Sequence, residues 1–215
     1  MRAGTDIIAF YTFRIADDLV DTTFSTCERA GFRVDEETER TARALDQEYK
    51  KFTVRYGDRS FGIAFNLDDD RPPGEPILGF RCGNLSDQAS VTDEREFRDR
   101  MHGFFELLCR LSVALDVDYA PLIRPDNRGV APDDHPIADS LEELPRIGVY
   151  DRTVVDRFGG LEAMFGAQLW YTATLEGDKT VVVETERPLD EVDWRPPTDA
   201  DFLENAAFDA PDERE

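Results

Sequence analysis

Residues 52–65, FTVRYGDRSFGIAF, constrain the fold more tightly than any other stretch of the chain. Phe52, Val54 and Tyr56 alternate with Thr53 and Arg55, and after Gly57-Asp58 the residues Phe61, Ile63 and Phe65 alternate again. Period-two alternation broken by a Gly-Asp pair is the pattern of a β-hairpin with a two-residue turn. That turn pairs Tyr56 with Arg59, Val54 with Phe61 and Phe52 with Ile63, so the large apolar side chains share one face. Such a face needs a cover. Leu78, Phe80 and Cys82 supply a third strand of the same period beyond the acidic, proline-bearing loop DDDRPPGEP, which gives an antiparallel meander.

The cover is expected from Asp93 to Leu115. There Phe97, Met101, Phe104, Phe105, Leu108, Leu111 and Leu115 form one wide apolar stripe at helical spacing. Asp93, Glu94 and Glu96 place negative charge in the first turn, where the helix dipole favours it, and Ser90 or Thr92 is placed to cap. Upstream, DIIAFYTF (6–13) reads as a strand buried on both faces. A helix over 17–30 follows, with Leu19, Thr23, Cys27 and Ala30 on one stripe and Gly31 at its C-terminus. Residues 35–49 read as a second helix with Ala42, Leu45 and Tyr49 in line, or as a twisted strand.

Beyond the long helix, the apolar run DYAPLI leads into a loop over 121–136 with Pro121, Pro125, Pro132 and Pro136. A helix from Asp151 is interrupted at Gly159-Gly160, a second short helix follows, and QLWYTATLEGDKTVVVETE forms a second hairpin about Gly177-Asp178. Past Pro188 the chain turns acidic. Thr198 and Asp201 form a capping box for one short helix through Phe202 and Leu203, and APDERE frays at the end. The expected organisation is a single α+β domain over 1–195 with an acidic tail over 196–215.

Charge restricts the setting in which such a chain works. It has 47 Asp and Glu against 25 Lys and Arg, a net charge of −22, and only Lys50, Lys51 and Lys179 among its cations are lysines. In dilute buffer a surface this acidic repels itself and opposes the compact state. At 1 M ionic strength the Debye length falls to roughly 3 Å, and neighbouring carboxylates hardly interact. With 40% hydrophobic residues and 15 Phe, the chain has ample material for a core, unlike a disordered acidic protein. The composition resembles that of haloarchaeal cytoplasmic proteins. Three scattered cysteines fit neither a disulfide framework nor a zinc site, no stretch is long and apolar enough to span a bilayer, and MRAGTDIIAFYTF lacks a cleavable signal pattern. The expectation is a soluble, cytoplasmic protein.

Residues able to do chemistry are few. His102 stands one helical turn before Glu106, a spacing that makes an i,i+4 histidine–carboxylate pair. Asp133, Asp134 and His135 lie together in the proline-rich loop and form the one candidate catalytic set, as hard-metal ligands or as a base with its orienting group. Asp68-Asp69-Asp70 with Glu75 lacks the ligand spacing and glycine of an EF-hand, no serine lies in a GxSxG elbow, and Gly159-Gly160 stands outside any phosphate-binding loop. No cofactor or metal is expected. Arg95, Arg98, Arg100 and Arg110 cluster on the long helix, but acidic neighbours dilute them and phosphate contacts weaken steeply with salt, so nucleic acid is not an expected partner. Nor is a membrane.

The segment YDRTVVDRFGGLEAMFGAQLWYTATLEGDKTVVVETERPL, Tyr150 to Leu189, resembles the end of α+β immunity proteins of polymorphic-toxin and type VI secretion systems. In that group an amphipathic helix ends at glycine, a short apolar segment follows, and a terminal hairpin closes on a proline-containing loop. Those proteins often open the segment with tryptophan, where this chain has Ile147-Gly148-Val149-Tyr150. The resemblance implies a non-catalytic protein that occludes another protein. The expected architecture is therefore an antiparallel meander covered by a long amphipathic helix, with a C-terminal helix-plus-hairpin unit. Two alternatives stand beside it: an enzyme using Asp133, Asp134 and His135 in a cleft, and a small-molecule binder using Trp170 and Tyr171.

Overall fold

The alternating segments assemble into one sheet. A computed structural model describes residues 4–12, 15, 18–44, 47–72, 74–85, 93–127, 129–134, 136–166, 169–186, 188–189 and 194–208. Among these residues the strands are β1 (Asp6–Phe10), β2 (Tyr49–Tyr56), β3 (Arg59–Asn66), β4 (Leu78–Gly83), β5 (Tyr119–Ile123), β6 (Ile147–Asp151), β7 (Tyr171–Leu175), β8 (Lys179–Val183) and β9 (Asn205–Phe208). The helices are α1 (Leu19–Arg29), α2 (Glu36–Ala44), α3 (Glu94–Ala114), α4 (Ile137–Ser140), α5 (Arg152–Phe158) and α6 (Leu161–Phe165). The strands lie in the order β2-β3-β4-β1-β5-β6-β8-β7-β9, and every neighbouring pair is antiparallel.

The first hairpin has the register its sequence predicts: Tyr56 opposite Arg59, Val54 opposite Phe61, Phe52 opposite Ile63. On the apolar face Phe61 and Phe80 meet Phe104 of α3 with ring centroids 5.1 Å and 5.8 Å apart. α3 is capped by Asp93, whose carboxylate accepts from Arg95 N at 3.0 Å and Glu96 N at 3.2 Å. Asp93 thus takes the role expected of Ser90 or Thr92, both of which lie outside the described residues. α1 ends in a Schellman arrangement. Gly31, at φ +83, donates from its N–H to Glu28 O, and Phe32 N donates to Cys27 O.

Four sequence expectations change. The helix over 35–49 stops at Ala44 and Tyr49 opens β2, because pairing with β3 extends to Asn66 and draws the chain into the sheet; Leu45 lies outside the described residues. The second hairpin pairs Leu175 with Lys179, so its loop is Glu176-Gly177-Asp178 rather than two residues, with Gly177 and Asp178 both at positive φ. DYAPLI, read as an apolar run, and Ile147 to Asp151, given no element by the sequence, hold the central strands β5 and β6. In the segment expected to hold a short helix, Asp201 and Phe202 form a turn and residues 205–208 pair with β7 instead. That pairing satisfies a full row of main-chain groups, which one helical turn could not.

β5 is the seam of the sheet and carries Pro121. The β1–β5 ladder joins Ile7 to Ile123 and Ile8 to Leu122, then skips to Tyr11 and Tyr119. The gap falls opposite Pro121, which has no N–H to give.

About this seam the two halves follow one path: a strand, two helices, then a hairpin whose second strand returns beside the first. β1, α1, α2, β3 and β4 trace it once, and β6, α5, α6, β7 and β8 trace it again. Because each neighbouring pair is antiparallel, β1 and β6 run the same way, as do β4 and β8. The helices lie on opposite faces: α1 and α2 join the core cluster of Ile8, Phe10, Val149 and Val181, whereas α5 and α6 join that of Ala9, Tyr11, Tyr150 and Val182. A two-fold rotation about β5 has this effect. It also brings the edge strands β2 and β9 into correspondence, although β2 enters early in the chain and β9 late.

Candidate functional site

Asp133 and Asp134 are both exposed at the surface, and His135, the third member of the candidate set, lies outside the described residues. The loop that bears them is held by other contacts. The Tyr119 hydroxyl donates to Val130 O at 2.9 Å, Ser140 Oγ donates to Asp134 O at 2.8 Å, and Pro132 O sits so close to Gly74 that a Cβ there would lie 2.7 Å from it. Among the described residues no group of three His, Cys, Asp or Glu is arranged to hold a metal ion.

His102 and Glu106 do not pair. His102 Nε2–H donates to Arg195 O at 3.1 Å and the ring meets the edge of Trp194 at 6.0 Å. Glu106 instead accepts from Arg110 Nε at 2.7 Å, while Arg110 Nη2 reaches Asp201 at 2.7 Å and the guanidinium lies over Phe202. These contacts describe a strap. Residues 194–203 cross the outside of α3, with Trp194 packed on Phe105 at 5.5 Å and the Tyr171 hydroxyl donating to Pro197 O at 2.8 Å, and so deliver the chain to β9. His102 and Arg110 serve that strap, a role that no helical spacing announces.

The aromatic pair proposed for a small ligand is taken up by the core. Tyr171 is fully buried and Trp170 is half-buried against Phe208, ring centroids 4.9 Å apart. A groove of about 600 Å³ does open between α1, α2 and β2, with Ile15, Leu19 and Leu67 beside Asp18, Asp21 and Asp69. Lys50 lines it, but its ammonium already donates to Ala42 O at 3.1 Å, and Arg43 is bound to Asp21 and Glu39.

The thiols are unsuited to attack. Cys27, Cys82 and Cys109 are free and buried. Burial, with Glu28 beside it, pushes the Cys27 thiol up to about 12, and burial first of all raises Cys82 and Cys109 as well. The arginines of α3 do not form a continuous patch either. Arg100 is enclosed, with Nη1 on Glu96 at 3.1 Å and its Nε and Nη2 without a partner, and Arg98 pairs with Glu94.

All three lysines have specific contacts. Lys179 is 1% exposed and donates to Asp116 at 2.9 Å and Asp151 at 3.2 Å; Lys50 is buried as above; Lys51 lies over the ring of Tyr49. Asp151 also caps α5 by accepting from Thr153 N at 2.8 Å. Partial burial opposes its ionisation, yet the hydrogen bonds from Thr153 and Lys179 together hold its carboxyl below the usual range. By contrast Asp6 is the one buried carboxylate among the described residues, accepting from Leu85 N at 2.6 Å. The other carboxylates among the described residues are partly or fully exposed. No helix among the described residues is long and apolar enough to cross a membrane.

No protein-family model matches this chain, and no curated protein matches it. Among solved structures it is similar to the Pseudomonas aeruginosa T6SS protein PA0821, at 12% identity and a TM-score of 0.42, over 83% of this chain and 64% of that one.

Proposed function

We propose that this is a non-catalytic protein-binding protein, immunity-like in acting by occlusion, that works in the cytoplasm of a salt-accumulating halophile. The observation that carries the binding reading is how the reactive side chains are placed. His102, Glu106, Lys179, Asp151 and the three cysteines are committed to packing, caps or ion pairs, and Asp133 and Asp134 are exposed. Catalysis needs such groups to converge on one point. Occlusion needs only a rigid body with an accessible edge or face. The halophilic reading is supported by lysine usage. Two of three lysines are buried, which leaves the exterior to carboxylates and arginines.

The test is affinity capture on the full chain in molar KCl, followed by purification of the complex. The expected result is a stoichiometric protein complex that covers the partner's own active surface and leaves both chains chemically unchanged. Turnover of a substrate that is abolished by Asp133→Asn or Asp134→Asn would overturn the reading.

A further inference from the structure

The two edges of the sheet correspond about β5 yet are finished differently. β2 is guarded. Lys51 and Arg55 place exposed charge along it, and Arg33 pairs with Arg55 from outside, Arg33 N donating to Arg55 O at 2.7 Å and Arg55 N to Arg33 O at 2.9 Å. Charge and cover of this kind keep an edge from pairing with other chains. β9 has neither. Asn205-Ala206-Ala207-Phe208 has no charge, proline or glycine in a chain one-third charged, and among the described residues nothing pairs with its outer side. It is also held firmly from within. Phe208 meets Trp170 at 4.9 Å and Tyr171 at 5.1 Å, and the strap before it is tied down through Arg110 and Asp201. A pre-ordered edge loses little entropy when a strand is added.

We propose that β9 receives an extended segment of a partner protein as a tenth strand, and that this segment carries Lys or Arg beside an apolar, alternating centre. The proposal rests on the protein-binding reading and names its surface. Main-chain hydrogen bonds supply affinity in strand addition, and alternate side chains supply specificity. Here the segment's inward residues would lie beside Ala206 and Phe208, which pack toward the core. Charge selects the occupant. Exposed Glu204 precedes β9, and exposed Glu176 is at the same end, next to the Thr174–Asn205 pair. Asp201 adds a third carboxylate in the strap. A second copy carries the same net charge of −22 and has no basic residue over 204–208 to meet these carboxylates, whereas a basic segment meets them favourably. Molar salt limits these effects to contact range, so main-chain bonds and the Phe208 contact carry the affinity.

Two peptides with one alternating Val-Thr centre, flanked by arginine in one and glutamate in the other, test this by NMR titration of the full chain in molar KCl. The arginine peptide should perturb the amides of residues 205–208, protect them from exchange and leave 49–56 unchanged. The glutamate peptide should bind about tenfold more weakly, the effect of two like-charge contacts. Along a strand only alternate N–H groups point outward. One of Ala206→Pro and Ala207→Pro should therefore abolish peptide binding with melting unchanged, while the other loosens β9 from β7. Perturbation away from β9, retained binding in both variants, or a dimer of the chain through β9 would each overturn the proposal. If a captured partner protein crosslinks elsewhere, this site falls and the protein-binding reading stands; if substrate turnover is found instead, both fall.

Discussion

The ring of Phe61 stands perpendicular to that of Phe104, with centroids 5.1 Å apart and planes at 90°. This contact joins the first hairpin to α3, and Phe32 and Phe80 complete the cluster at 5.5 Å and 5.8 Å from Phe104. Edge-to-face pairs of this kind add to simple area burial.

Truncating either ring removes a large buried side chain, so Phe61→Ala and Phe104→Ala should each cost about 3–5 kcal/mol in chemical denaturation. The double variant should depart from additivity by about 0.5 kcal/mol or more, because the residues touch. Arg55→Ala, at an exposed position, should change stability little. Strict additivity of the two phenylalanines would mean that the meander and α3 do not share a core.

Lys179 and Asp151 should respond unequally. Asp151→Ala leaves a buried ammonium with Asp116 alone and removes the α5 cap, so a loss of about 3 kcal/mol or more is expected. Lys179→Met fills the same space, and Asp116, whose side chain is 79% exposed, then returns to solvent. Its cost should stay within about 1 kcal/mol. Equal losses in urea titrations of the two variants would contradict the asymmetry.

Acid should remove part of the same stabilisation. Asp151 titrates in the folded protein below its unfolded value of about 3.9, so its contribution is complete above that value and disappears as pH falls through the folded pKa. In molar KCl, the stability difference between wild type and Asp151→Asn should therefore be constant near neutrality and shrink below about pH 4. A difference that grows on acidification would reverse the sign of the linkage.

Gly103 offers a test that helix propensity alone gets wrong. In an exposed helix, Gly→Ala is favourable by about 1 kcal/mol. At 103 a Cβ would lie 2.9 Å from Tyr56 Cε2 and 3.0 Å from Ala30 O, where the end of α1 meets α3. The carbonyl cannot swing aside as a side chain can. Gly103→Ala should destabilise by about 1–3 kcal/mol, and a gain in melting temperature would show that the α1–α3 approach is looser than this.

Salt dependence tests the reading of the exterior. Dialysis from molar KCl into dilute buffer should produce a cooperative loss of circular dichroism, since the carboxylates that face solvent then repel over a longer range. An unchanged melting temperature in dilute buffer would remove the halophilic interpretation and leave the fold untouched.

What the sequence by itself determined is the local part of this protein. Phe52 to Phe65 sets its own register, because side chains alternate with period two and Gly57-Asp58 closes the turn within the segment. Gly31 ends α1 and Gly159-Gly160 separates α5 from α6 for an equally local reason, the positive φ that glycine allows. Tertiary structure decided the rest. Pro121 argues against a central strand, yet β5 is the seam, since the missing N–H falls opposite one gap in the β1 ladder while β6 still pairs on the other side. Thr198 and Asp201 offer a capping box before Phe202 and Leu203, but residues beyond them gain more from completing the edge of β7. Lys179 and His102 owe their partners, and Arg110 its contact with Asp201, to segments 28 or more residues away. Pairings of that kind depend on which chain ends meet once the sheet has formed, and local periodicity has no information about them.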